Sequence, residues 1–295
     1  MRGWWRDLTD LVLPAECGGC GRPRAVLCPE CRTALSGAAP RRVRPVPEPP
    51  GLPVAHAAAP YADEVRAALL AHKERGALAL AAPLGVALAG AVRAGLLVGR
   101  QGGGGAPVLL VPVPSARRAV RARGHDPARR IALAAAAELR RTGTPARVLA
   151  VLRQRRAVAD QSGLNSRQRM DNLAGALRVA PGGERLLGSG SVVLVDDLMT
   201  TGASLAEAAR AVREEVADLR TGAAGAVRPV GHGDEANAVC GAVTREDRGE
   251  RRTGVRAEAV RMPGVPGMAG GIRAGDVLCA AVVAAPPDAF EINRN

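Results

Sequence analysis

The run Val192-Val-Leu-Val-Asp196-Asp197-Leu-Met-Thr200-Thr201-Gly202-Ala203-Ser204 carries the densest chemistry in the chain. Four apolar β-formers make a buried strand. Two acids stand at its C-terminal end, and a Thr-Thr-Gly-Ala-Ser turn then opens a helix. Backbone N–H groups at a helix N-terminus cradle phosphate, and the helix dipole adds to the attraction. Gly202 lets the backbone approach closely, and Thr200, Thr201 and Ser204 add hydroxyls around Ala203. An ionised carboxylate only accepts hydrogen bonds. Asp196 and Asp197 therefore suit sugar hydroxyls or a metal beside the phosphate. The combination describes a ribose 5-phosphate site. An ordinary helix cap explains Ser204 but not the acid pair and the Thr-Thr-Gly turn together. No G-x4-G-K-[ST] occurs, which excludes a Walker A loop, and no helix opens directly after Gly102–Gly105.

A second cluster is metal chemistry. Cys17-Gly-Gly-Cys20 and Cys28-Pro-Glu-Cys31 are two C-x2-C pairs. Two thiolates on each of two tight turns supply the four corners of a Zn²⁺ tetrahedron. With every ligand position taken by sulfur, the expected role is structural. A unit so short has little apolar core, so the metal is expected to supply its folding energy. A pair of redox C-x2-C motifs is the alternative, without a thioredoxin-like βαβ context to support it.

Charge points to a phosphate-bearing partner. The chain has 295 residues and a net charge of +13, and from Ser115 to Met170 fourteen arginines face three acids. Only four residues are aromatic, so a base-stacking platform for single strands is nearly excluded. Hydrophobic residues make up 47%, enough for a core of Val, Leu and Ala. The N-terminus lacks a signal-peptide pattern. The apolar stretch 77–99 contains Pro83 and Arg93, and is expected to be a buried helix rather than a membrane span. The protein is expected to be cytoplasmic.

These motifs need elements to hold them. Residues 1–36 form the cysteine unit. Residues 37–60 contain seven prolines and read as a semi-extended linker. Residues 61–213 alternate helix and strand: helices over 62–72, 77–98, 128–141 and 204–213, and strands over 108–113, 148–152 and 191–195. Such alternation predicts a parallel α/β sheet. Residues 214–274 lose the period and read as a flexible insertion. Residues 275–295 then carry one more buried strand, Val277–Ala285, and a tail. Cys240 and His232 are too isolated to argue a metal site.

At the 192–204 segment the sequence resembles the type I phosphoribosyltransferases, whose loop for phosphoribosyl pyrophosphate (PRPP) has this form. The wider match is similar to the ComF family, a zinc ribbon joined to a phosphoribosyltransferase-like domain and associated with DNA uptake in competent bacteria. Four further segments carry the resemblance. They are Leu70–Gly76 around Lys73; Val111-Pro-Val-Pro114 followed by Arg123-Gly-His-Asp126; Gln161-x2-Leu164-x4-Arg169-x2-Asn172-x2-Gly175-Ala176; and the four cysteines. Two positions depart from the pattern, His125 and Leu177, where aromatics are expected. Segment 214–274 has no counterpart in it.

The resemblance implies transfer of phosphoribosyl from PRPP to a nitrogenous acceptor. Asp196 and Asp197 would hold the ribose hydroxyls, directly or beside Mg²⁺, and Thr200–Ser204 the 5-phosphate. Pro114 and Ser115 resemble the pyrophosphate loop, with Arg117, Arg121 and Arg123 after it. Lys73 would reach pyrophosphate, and Arg167 and Arg169 would close over the site. For Arg117 and Arg121 the expectation is a solvated surface role. The alternative, from a different class, is a PRPP-sensing adaptor without turnover that contacts single-stranded DNA or a helicase through the basic window and zinc ribbon. A purely structural zinc protein would leave the acid pair unexplained.

Overall fold

A computed structural model describes residues 16–99, 106–156, 166–225 and 277–290. Within them the protein is α/β, with a six-stranded, mostly parallel sheet and an N-terminal cysteine cluster. The spatial order is β1 (Arg41–Val43), β2 (Ala55–Pro60), β8 (Val277–Ala285), β7 (Ser191–Leu198), β3 (Val108–Pro112) and β4 (Ala146–Val148). Only β1 is antiparallel to its neighbour. The central strands are apolar runs because helices cover both faces and leave no side to water.

On one face lie helices α2 (Asp63–Glu74), α3 (Ala81–Gly99) and α5 (Pro127–Arg141). Helix α3 is one helix long and apolar enough to cross a membrane, but most of that stretch is buried against β8 and α5. Its small residues permit close packing. A Cβ on Gly85 would stand 2.4 Å from Ala134 of α5. The opposite face carries α8 (Ala203–Gly225), α7 (Gly183–Leu187) and a two-stranded ribbon of β5 (Leu152–Gln154) and β6 (Leu177–Val179). Helix α6 (Ser166–Leu173) leads into β6, and α4 (Arg117–Arg123) joins β3 to α5.

Three elements differ from the expectation. The proline-rich 37–60 segment supplies β1 and β2, and Ala55–Ala59 are buried in the sheet. Prolines punctuate this segment, but the Ala-His-Ala-Ala-Ala run between them is small enough to pair deep beside β8. The single strand expected over 148–152 is two: β4 ends at Val148 and the chain crosses to the ribbon at Leu152. Helix α8 continues past Arg213 to Gly225, held at its start by apolar Leu205, Ala208, Ala209 and Val212 and extended by Ala- and Glu-rich turns of good helix propensity. The rest of the expected insertion, with Cys240 and His232, lies outside the described residues.

The order also fixes where a ligand crevice falls. After β3 the chain leaves toward β4; after β7 it leaves in the opposite direction, toward β8. The connections diverge between β3 and β7, and in open α/β sheets the crevice at the carboxyl ends of such a strand pair is the ligand site.

Candidate functional site

Strands β3 and β7 run in parallel with Pro112 opposite Val195, and the Val113 N–H donates to the Val195 carbonyl at 2.9 Å. This register brings the Pro114–Ser115 turn beside the Asp196–Asp197 end of β7, and the 200–204 turn follows that end in the chain. Gly202 has φ +74°, the left-handed region that favours glycine. Leu52 and Pro45 pack close over it, so a side chain there would also have to push them back by a few tenths of an ångström. The Thr201 hydroxyl accepts a long hydrogen bond from the Ala203 N–H at 3.5 Å. Helix α8 begins there, and the first N–H groups of a helix have no intrahelical acceptor.

The two acids differ. Asp197 is buried, and its Oδ2 lies 3.1 Å from the Lys73 Nζ. Asp196 is half-buried, and one of its oxygens accepts the Asp197 N–H at 2.8 Å. Loss of solvent, then the neighbouring Asp197 charge, pushes the Asp196 carboxyl well above its usual range. Burial pulls the Lys73 ammonium down, but Asp197 and Asp196 together outweigh this and leave it raised. The site therefore holds two carboxylates against one close ammonium.

Lys73 comes from the last turn of α2. That helix starts where β2 ends, passes the end of β8 and reaches β7. Twelve residues rise ~18 Å, enough to span the ~10 Å of two strand spacings. Beside Lys73, Glu74 receives Arg123 in a two-point pair at 2.7 and 3.0 Å. Arg123 is thus engaged by Glu74 rather than presented singly to the crevice. His125, the departure from the aromatic pattern, lies edge-on to His72 with ring centroids 5.6 Å apart. Its Nε2 is 3.2 Å from the His72 carbonyl at the end of α2. His72 is buried, which lowers its basicity.

On the β4 side of the Pro114–Ser115 turn, a cavity of about 280 Å³ is lined by Ser115, Arg117, Arg121, Asp126, Arg153 and Gln154, among others. Asp126 is occupied there: its oxygens accept the Ser115 N–H at 3.2 Å and the Arg129 N–H at 3.1 Å, capping α5. Arg117 and Arg121 are exposed, as expected of surface charges, and they also edge this cavity. Arg169 lies on α6, but its side chain and that of Arg167 fall outside the described residues. Sequence reasoning missed Glu74, Arg153 and Gln154, and named Asp126 in the Arg123-Gly-His-Asp126 motif without giving it a role. Only Asp126-Pro127 left a readable signal, an N-cap residue followed by proline at the first helical position.

The four cysteines converge, with their Sγ atoms all within 4.8 Å of one another. Cys20 and Cys28 are 3.6 Å apart. A Zn–S bond of ~2.3 Å gives tetrahedral S···S edges of ~3.8 Å, so the donor set fits that ion. The Cys28 N–H donates to the Cys17 Sγ at 3.3 Å, orienting one ligand through the backbone of another. Although burial opposes it, this and other backbone hydrogen bonds bring the Cys17 thiol down to about 6. Helix α1 (Pro29–Ser36) carries Cys31 in its first turn, and Arg22 grips Glu30 with both contacts at 2.7 Å. The unit does not stand apart. Cys17, Leu27, Cys28, Cys31 and Leu35 belong to the same buried cluster as α2, α3 and the sheet.

No protein-family model matches the chain, and no curated protein aligns with it as a relative.

Proposed function

We propose that the chain is a PRPP-dependent phosphoribosyltransferase of the ComF type, with its site in the crevice between β3 and β7. The observation that carries the reading is the Lys73–Asp197 pair standing beside Asp196 and the Thr-Thr-Gly turn at the divergence of the sheet. In this reading Thr200–Ser204 receive the 5-phosphate on the N-terminus of α8. Asp196 and Asp197 accept the ribose hydroxyls and would hold Mg²⁺, which supplies positive charge to the leaving pyrophosphate. Lys73 turns from Asp197 to that group. Ser115 and the cavity edged by Arg117, Arg121 and Arg153 provide the pyrophosphate subsite, and Arg169 serves as the closing cation.

In the reaction the C1–O bond to pyrophosphate breaks and a bond from C1 to the acceptor nitrogen forms. Pyrophosphate leaves with the bonding pair, and the acceptor nitrogen loses its proton. Charge builds on the leaving group, so fixed cations and correct positioning supply most of the rate. The cysteine unit would hold structural zinc.

One observation favours the second reading, a non-catalytic adaptor that binds single-stranded DNA or a helicase. Arg118 on α4 and Arg129 and Arg130 on α5 are exposed. Calorimetric titration of PRPP with Mg²⁺ into zinc-loaded protein tests the first reading. Saturable binding that disappears in Asp196→Asn/Asp197→Asn supports it. Absence of binding to folded protein, with affinity for oligonucleotide that falls steeply with salt, moves the assignment to the adaptor.

A further inference from the structure

The cysteine knuckle and Lys73 stand at opposite ends of one packed chain of residues. At the knuckle, a Cβ on Gly18 would come within 2.5 Å of Leu80, so Leu80 sits directly against the backbone of the first C-x2-C turn. Leu80 is 1% exposed and has no room to drift. Its own N–H donates to the Ala77 carbonyl at 3.1 Å, closing the short turn that follows α2. Ala77 is tied twice to the end of α2. Its N–H donates to the Ala71 carbonyl at 3.1 Å, and its carbonyl lies 3.3 Å from the His72 Nδ1. That carbonyl can only accept, so the contact is a hydrogen bond in the Nδ1–H tautomer of His72. Lys73 is the next residue, and its Nζ holds Asp197. A second contact reaches the other end of α2, where Gly19 faces the Glu64 Cβ and the Cys31 Sγ.

We propose that metal binding at Cys17, Cys20, Cys28 and Cys31 positions Lys73 against Asp197, through Leu80, Ala77 and the last turn of α2. Without the metal the two C-x2-C turns lose their strongest link and keep weaker contacts such as the Cys28 N–H to Cys17 Sγ hydrogen bond. The surface that braces Leu80 then loosens, and the final turn of α2 loses its outer support. Lys73 is a positioned residue in this scheme, and the cysteine unit acts on the crevice without touching it. A continuous chain of packed side chains and hydrogen bonds is one physical means by which such coupling travels. The inference concerns the ligand-free protein and does not depend on what the crevice binds.

The test uses an accident of composition: Lys73 is the single lysine in the chain. Protein grown with ¹³C,¹⁵N-lysine gives one lysine side-chain NMR signal. In zinc-loaded protein that signal is expected to differ from its position in Asp197→Asn. After zinc is removed with a chelator, it is expected to move to the Asp197→Asn position and to return when zinc is added back. In Leu80→Ala, which keeps all four cysteines and its zinc, the signal is expected to lie at the displaced position whether or not zinc is present. An unmoved signal in zinc-free protein that retains its circular dichroism overturns the proposal. Where zinc removal unfolds the chain, zinc-loaded Leu80→Ala decides alone, and a wild-type signal there overturns it equally.

Discussion

Replacing Asp196 by Asn should stabilise the protein while removing a residue that the proposed function requires. The crevice holds two carboxylates, and the near ammonium, Lys73, contacts Asp197 at 3.1 Å. Asp196 is the surplus charge. Asn keeps the oxygen that accepts the Asp197 N–H at 2.8 Å and removes the negative charge. A fully buried polar group left uncompensated costs about 1–3 kcal/mol, and more when it is charged; the half-buried Asp196, with one hydrogen bond, bears part of that cost. Relief of part of that cost predicts a gain of about 1–2 kcal/mol at neutral pH, or roughly 2–8 °C in Tm for a domain of this size. The pH dependence follows from the direction of the shift. The folded Asp196 carboxyl sits above its ordinary 3.8, so the native state holds the proton more tightly than the unfolded chain does. Its contribution to stability is complete below 3.8 and is lost as pH rises through the folded value. Urea unfolding of zinc-saturated wild type and Asp196→Asn, from acid to neutral pH, reads this directly. The variant should lack the wild-type decline and cross above it. A variant less stable than wild type at pH 7, with the same pH profile, would refute the surplus-charge argument.

Other outcomes follow from the same geometry. The protein should purify with one zinc per chain, and Cys20→Ser should weaken zinc binding at least tenfold in a competitive chelator titration. Glu207→Gln should cost about 2 kcal/mol at pH 7, because Arg210 and the Leu177 N–H both bind this buried carboxylate. Although burial opposes it, those bonds hold Glu207 below its ordinary 4.5, so the wild-type advantage should fade as pH drops below that value. Arg117→Gln/Arg121→Gln should lower pyrophosphate affinity about tenfold while leaving ribose 5-phosphate binding unchanged, by calorimetry. Lys73→Arg should unfold no more readily than wild type yet bind Mg²⁺ and PRPP at least tenfold more weakly.

What the sequence revealed and what it hid divide along a physical line. The run Val192–Ser204 announces strand, acids, turn and helix because each is local: apolar β-formers, then a positive-φ glycine, then helix formers. The cysteine pairs are equally local, since a tetrahedron of thiolates needs only two turns. The neighbours were hidden. Ala55–Ala59 has the composition of a linker or a helix, and becomes a buried strand because β8 offers an edge for it. Glu74 looks like one more surface acid until folding brings Arg123 beside it, 49 residues away in the chain. Arg117 and Arg121 are indistinguishable by type from the surrounding arginines. Their cavity exists because β5 leaves the main sheet at Leu152 and carries Arg153 and Gln154 opposite them.

The identity of residue 73 is itself informative. In a chain with 41 lysines and arginines, of which one is lysine, the cation paired with Asp197 among the described residues is that lysine. A guanidinium is a rigid planar fork that matches a carboxylate in two places and keeps its charge in any protein environment. Beside two acids it would lock, as Arg210 locks on Glu207 and Arg123 on Glu74. An ammonium on a four-carbon stem makes a point contact that rotates freely. The Lys73 side chain is about one-third exposed (32%), so it has an open path away from Asp197. In the proposed function the pair must part when an incoming ligand takes the carboxylate, and that chemistry serves such a step better. That gives a reason for lysine at this position, against the bias of the whole chain, as a cation with two successive partners.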